Sequence, residues 1–522
     1  MAAWDWKKNS LSVYSAIALL GVMQAVALAE PRLGESTAWL QLVSLTGFIW
    51  LLHSTASHPS TFKLAWVFAT SWLMASVWWL YISIHHFGGM PAALTVMVIG
   101  LLCGGLALYY ALTIRFYMSY RSKKNPWFSA VLFASCWTLG ELARAEFFTG
   151  FPWGAIGYAH VDSVLVEFAP YVGVYGVGWI AAFTATVMAY AVASVKTQNI
   201  RLRVISAAAL LVGLALFTLP WTLSGKGSTH SFSVSLLQGN IPQDLKFTEL
   251  RQQALTWYVD QALQSTTDVV VMPETALPYL PKDIPPETWA ALKNQYSKKQ
   301  QALIVGIPTY EEGKGFGNSA IAMAGNSEEY VYHKQHLVPF GEFVPSYFQW
   351  FNAMVNFGIT DFIRGPIKPD PLKWRDQQLA IQICYEDLFG EELAQRFVTD
   401  KESIPTVLVN MSNIAWFGNT VVIPQHVHIA RMRSMELNRP TIRATNSGGT
   451  AIIDSSGKVQ AIAQPYTQTV LVGQVPASDG RVTWFAQWAG RWGLIPLWII
   501  CCTVLLLSAG IQWRNKRREH SH

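Results

Sequence analysis

The segment AIQICYED, residues 380–387, decides how the chain is read. A short apolar run, 379–383, leads straight into Cys384. A continuous apolar run of this length fits a strand covered on both faces. The residue just past such a strand lies at its carboxyl end, where open α/β sheets gather their ligands. Two other segments repeat the logic. VVVMPET, 269–275, sets Glu274 just beyond the apolar run 268–272, and YHKQHLVPFGEFVP, 332–345, sets Lys334 in a loop rich in Pro and Gly. Loops on rigid scaffolds carry function more often than strand interiors do.

Outward from these three points, the runs 233–238, 302–307, 318–324, 406–410 and 441–453 also read as buried strands. Helix-prone stretches at 248–265, 285–300 and 425–438 separate some of them. Helices alternating with covered strands imply helix layered on sheet, an α/β sandwich, over residues 226–484. Gly480 and Gly490 mark an exit linker beyond it.

The rest of the chain has a different character. Of 522 residues, 51% are hydrophobic and only 13% charged, with 23 Trp; soluble domains carry about 25% charged residues. The shortfall is concentrated at the two ends. About 20 apolar residues are needed to cross a bilayer as a helix. Seven runs qualify before the α/β domain, near 10–29, 37–54, 63–84, 91–113, 127–145, 167–194 and 203–222, and an eighth lies near 490–511. Residues 1–225 thus form a membrane domain of seven helices, and 485–522 a last span with a basic tail. Basic residues collect in alternate loops: Lys7 and Lys8, Lys63, Arg115 to Lys124, Lys196 to Arg203, and Arg514 to Arg518. Positive charge stays on the cytoplasmic side, so both termini are expected inside and 226–484 outside. The net charge of +6 is explained by these loops, and no basic stripe interleaved with aromatics points to nucleic acid.

Of five cysteines, Cys103, Cys136, Cys501 and Cys502 lie in the apolar spans, which leaves Cys384 alone in the outer domain. A thiol without a local disulfide partner in an oxidising compartment calls for a role. The thiolate is the nucleophilic form. Glu274 is placed to take its proton. Lys334 supplies positive charge for the thiolate and for a tetrahedral oxyanion, with the Tyr385 backbone N–H as a second donor.

Glu274, Lys334 and Cys384, in this order, resemble the Glu-Lys-Cys triad of the nitrilase superfamily, whose domains are four-layer αββα sandwiches. Within that superfamily the chain resembles the apolipoprotein N-acyltransferase family. The matching stretches are TGFPWGAIGY (149–158), LLQGNIPQDLKF (236–247), MPETALP (272–278), KQHLVPFGEFVP (334–345), CYEDLFG (384–390) and SNIAWFG (412–418). The resemblance implies a fold of about eight transmembrane helices plus a periplasmic nitrilase-like domain in the bacterial inner membrane. It also implies a two-step reaction. Cys384 takes the sn-1 acyl chain of a phospholipid, phosphatidylethanolamine by family habit, as a thioester. The N-terminal amine of a diacylglyceryl-cysteine on an apolipoprotein then receives it as an amide. Supporting roles fall to Glu342, Tyr385 and Glu386, and substrate contacts to Trp153, Phe247 and Trp416. No cofactor is implied. Two departures stand out: the family often has Trp at Phe247 and Asp at Ile414.

A membrane-tethered amidase would use the same triad with water as acceptor, but hydrolysis of a soluble amide needs no eight-span platform. A transporter with a passive outer domain would not depend on the Cys384 thiol. His426 and His428 suggest a metal site, yet residues two apart on a helix do not share a face. Surface or packing roles are expected for them, and no metal.

Overall fold

The computed structural model describes residues 10–55, 61–122, 125–194, 231–298, 300–325, 329–349, 361–399, 403–476 and 480–520. The expected span at 203–222 and the charges Lys7, Lys8, Lys123, Lys124, Lys196, Arg201 and Arg203 lie outside the described residues. The chain divides into two compact units, Met1–Thr222 with Leu494–His522, and Leu223–Gly493.

The first unit is helical: α1 Ser10–Val26, α2 Ala38–Ser54, α3 Thr61–Val77, α4 Ala92–Tyr120, α5 Pro126–Glu146, α6 Ala169–Ser194 and a C-terminal helix Ile495–His520. Among the described residues three stretches are long and apolar enough to cross a membrane: Ala92–Tyr120, Val164–Ala193 and Ile495–Asn515. Leu11–Val26 and Ala38–Ser54 are apolar but shorter. Helix α5 is different, because it buries Glu141 and Arg144. Charges inside an apolar helical unit need partners. Arg144 donates to Phe151 O at 2.7 Å and to Tyr110 Oη at 3.1 Å, and Glu141 Oε1 accepts from Ile156 N at 2.8 Å. These bonds tie down the segment 149–158.

The second unit holds two six-stranded sheets, β12-β1-β2-β3-β4-β5 and β11-β10-β9-β8-β7-β6. Their strands are β1 Ser231–Gln238, β2 Val269–Val271, β3 Ala302–Glu311, β4 Gly315–Ala324, β5 Tyr330–His333, β6 Leu372–Trp374, β7 Gln377–Ile383, β8 Val407–Ser412, β9 Thr441–Thr445, β10 Ala451–Ile453, β11 Val459–Ile462 and β12 Thr469–Pro476. Each sheet has a parallel core, β1-β2-β3 in one and β7-β8-β9 in the other, flanked by antiparallel strands.

Side-chain alternation builds the layers. Val234, Leu236, Val269, Val271 and Ile304 from one sheet meet Leu379, Ile381, Ile383, Val407 and Val409 from the other in a dry central layer. The intervening Leu237, Val270, Leu303 and Val305 face outward, onto Leu255, Tyr258, Val259, Leu292 and Tyr296. Those residues belong to the helices Arg251–Gln264 and Pro286–Lys298. Across the other sheet, Ala380 and Leu408 pack on Phe397, Leu437, Phe485 and Ala489. The order is therefore helix, sheet, sheet, helix. Apolar residues on both faces explain why the strands read as unbroken runs.

Three expectations change. The run 441–453 is two antiparallel strands, β9 and β10, not one. Asn446 to Gly449 turn the chain between them, and Gly449 takes φ +79°, where a side chain would be strained. Residues 485–493, assigned from sequence to the last span, pack in the α/β unit. The helix Trp484–Trp492 is capped by the Thr483 hydroxyl, which accepts from Ala486 N at 3.0 Å. Gly490 is thus no linker; it sits so close to the Ala394 carbonyl that a Cβ would collide with it. Both His426 and His428 are buried in the helix Val422–Leu437, so the surface role falls away and packing remains.

Candidate active site

Each triad member enters from its own strand. Glu274 follows β2, Lys334 follows β5, and Cys384 follows β7. On β4 the inward stripe Ala324, Ala322, Ala320 continues to Asn318, and on β5 Tyr332 continues to Lys334, so both polar residues stand at one end of the central layer. The backbone is forced at two points. Cys384 has φ +52° and Thr275 has φ +49°. A left-handed non-glycine residue costs on the order of 1–3 kcal/mol and persists where surrounding structure demands it.

The charged groups interlock. Lys334 Nζ lies 2.9 Å from Glu342 Oε1 and 3.6 Å from Glu274 Oε1. Asn318 Nδ2 donates to Glu274 Oε1 and to Glu342 Oε1, both at 2.7 Å. Glu274 Oε2 accepts from Asn413 N at 2.8 Å, and Glu342 Oε2 from Val338 N at 2.7 Å. Lys334 N donates to Asn318 O at 2.9 Å. Burial alone would weaken the Lys334 ammonium, but Glu342 and Glu274 outweigh it and hold its pKa above the ordinary lysine range.

Burial pushes the Cys384 thiol well up, and the Glu274 carboxylate adds to this, while Lys334 pulls the other way. Lys334 favours the thiolate, as expected, but does not offset burial and the Glu274 charge. Among the charged groups around this sulfur, the Glu274 carboxylate acts on it most strongly.

Around the nucleophile, Glu386 is fully engaged. It accepts from Gln335 N at 2.7 Å, from Tyr332 Oη at 2.8 Å and from Ile383 N. Tyr385 packs its ring on His336 and Phe389, with centroids 5.6 and 5.3 Å away. Phe247 and Trp416 are partly exposed. Trp153 is not: it is buried in the helical unit, its ring 4.9 Å edge-on from Trp79.

Sequence reasoning missed four features. Asn318 was read only as the start of a strand, although a polar residue opening an apolar run was the available signal. Asn413 lay within a quoted motif without a role. Lys246 is buried, its Nζ 3.4 Å from the Glu274 carbonyl oxygen, and burial lowers its pKa to about 8 against the pull of Glu274. Behind Cys384, Asp387 binds His426 Nε2 at 2.8 Å and Arg443 at 3.0 Å, and Arg443 donates to His426 Nδ1 at 2.6 Å. That bond makes Nδ1 the acceptor and leaves the proton on Nε2. No group of His, Cys, Asp or Glu among the described residues could hold a metal ion.

Two sheets packed face to face, helices outside, and Glu, Lys and Cys at the strand ends define a carbon–nitrogen hydrolase domain. The carbon-nitrogen hydrolase family matches residues 233–483, and the apolipoprotein N-acyltransferase N-terminal domain matches residues 20–187. The apolipoprotein N-acyltransferase of Verminephrobacter eiseniae is 41% identical over 499 residues, covering 91% of this chain and 92% of its own length. That of Ralstonia nicotianae is 38% identical over 472 residues, covering 89% and 87%. Among solved structures, XC1258 from Xanthomonas campestris, a CN-hydrolase superfamily protein, aligns with 51% of this chain and 96% of its own at 17% identity and a TM-score of 0.36. The chain belongs to the apolipoprotein N-acyltransferase family.

Proposed function

We propose that this chain transfers the sn-1 acyl chain of a phospholipid, through a thioester on Cys384, to the N-terminal amine of a diacylglyceryl-cysteine. The observation that carries the reading is the shared cluster of Glu274, Lys334, Glu342 and Asn318, whose charges act on the Cys384 thiol. Glu274 takes the S–H proton as sulfur attacks the ester carbonyl. The oxyanion develops beside Lys334, which is already charged and fixed and so has little to reorganise. The C–O bond breaks, Glu274 returns the proton to the leaving alcohol, and a lysophospholipid departs. An amine then attacks the thioester, and its proton passes by way of Glu274 to the departing sulfur. The ester has become an amide and the thiol is restored.

Both substrates of this reaction are held in lipid, which gives a reason for apolar helices and a hydrolase-type domain in one chain. The partly exposed Phe247, Phe340 and Trp416, each close in sequence to a site residue, suit contact with acyl chains. In the same reading the chain crosses the inner membrane eight times, with both termini cytoplasmic and the catalytic domain periplasmic.

The test is lysophospholipid release from proteoliposomes. Without acceptor, release stops at one equivalent per enzyme; an S-diacylglyceryl-cysteinyl peptide makes it continue. Continuing release with free fatty acid and no amine would make the protein a hydrolase.

A further inference from the structure

Asn318 has one end of its amide fully used and the other end unused. Its Nδ2 faces Glu274 Oε1 and Glu342 Oε1 at 2.7 Å each. Ionised carboxylates only accept hydrogen bonds. The amide orientation is therefore determined, since the reverse would set an oxygen against two carboxylate oxygens. Oδ1 is left buried with no donor among the described residues, in a side chain that is 7% exposed. Buried acceptors are nearly always satisfied, so an orphan at the centre of a charged site invites a donor from outside.

The two substrates differ in what they bring. Resting on the acyl-transfer reading above, the donor presents an ester, which has no N–H or O–H at the reacting carbon. The acceptor presents an amine with N–H bonds. We propose that Asn318 is a specificity-determining residue for the amine acceptor: Nδ2 aligns the two glutamates, and Oδ1 receives an N–H of the amine as it attacks the thioester. Glu274 takes one proton while Asn318 holds another, which orients the nitrogen lone pair toward the thioester carbon. Water in the same place also offers O–H, but it lacks the lipid anchor that holds the peptide amine in position.

Asn318→His tests this, because its ring can keep one of the two N–H donors to the glutamates while replacing Oδ1 with a C–H; Asn318→Ala removes both functions. Full-length acyl-enzyme is formed with phospholipid and isolated, and its deacylation is timed by intact mass. One chase uses an S-diacylglyceryl-cysteinyl peptide, the other β-mercaptoethanol, whose attacking sulfur carries no N–H. The expected result for Asn318→His is slower loading, because the glutamates lose one of two N–H bonds, and, from the acyl-enzyme that forms, a loss in aminolysis about 30-fold larger than the loss in transfer to the thiol, with a raised KM for the peptide. Equal losses in both chases, unchanged aminolysis, or failure of both variants to load while the parent loads would overturn the proposal. If the parent itself forms no acyl-enzyme, the acyl-transfer reading falls instead.

Discussion

Glu386 accepts a hydrogen bond from the Gln335 amide at 2.7 Å, across 51 residues of sequence. Gln335 adjoins Lys334, and Glu386 stands two residues past Cys384. Because the same carboxylate also bonds Ile383 N and Tyr332 Oη, it fixes the lysine loop against the nucleophile turn. Burial raises the Glu386 carboxyl, while Arg396, the Ile383 amide and Tyr332 oppose the rise. Glu386→Gln keeps the shape but turns one of the two oxygens into an NH2, which must face either the Gln335 or the Ile383 N–H. Activity should fall by at least about 100-fold and stability by about 1–3 kcal/mol. Steady-state kinetics and a thermal melt in detergent check this; activity near that of the parent would mean the alignment does not matter.

The Glu274 carboxylate and the Lys334 ammonium push the Cys384 thiol in opposite directions. Glu274→Gln should therefore make the thiol more acidic and Lys334→Met less so. Iodoacetamide alkylation of Cys384, followed at pH 8, should speed up by about tenfold in the first variant and slow in the second, since one pKa unit is a factor of ten. Both should abolish acyl transfer. Unchanged alkylation in Glu274→Gln would show that the carboxylate does not act on the sulfur.

Lys246 gives a prediction for stability. Burial lowers its pKa from 10.5 to about 8, so folding costs most where the lysine is charged in both states. Between those two values the unfolded chain binds more protons than the folded one, and stability rises with pH. Lys246→Met should accordingly raise stability at pH 7 by about 1–3 kcal/mol, and the advantage should shrink as pH climbs past 8. Melting curves at pH 7 and pH 10 decide it. A variant less stable at pH 7 would show that the ammonium is better satisfied than its contact to the Glu274 carbonyl indicates.

Asp387, His426 and Arg443 are joined by buried bonds behind the nucleophile. His426 also bonds the Cys384 backbone. His426→Ala leaves Asp387 and Arg443 each short of a partner and frees a backbone held at φ +52°. We expect a loss of about 2–4 kcal/mol and slower thioester formation, with Gln at this position recovering part of both. Full activity in the Ala variant would remove the histidine from any positioning role.

The layers and the triad were legible because burial on both faces writes apolar runs into the sequence, and the reactive residues sit where those runs stop. Cys384 and Glu274 carry that local signature, whereas Lys334 was marked by its loop rich in Pro and Gly. The partners do not. Asn318 and Glu274 are 44 residues apart, and His426 and Asp387 are 39 apart. Nothing local marks such pairs, because they exist only once two sheets are face to face. Local apolarity also misled at 441–453, where Gly448 and Gly449 were the signal for a turn; the substrate contact at Trp153 was implied by the resemblance, and the ring is packed inside.

The central claim is that Cys384 carries the acyl chain. Intact mass of the full-length protein after exposure to phospholipid measures this directly. The account predicts a gain of one acyl chain, located on Cys384, removed by hydroxylamine and absent from Cys384→Ser. An unmodified parent protein, or the same adduct in Cys384→Ser, would contradict it.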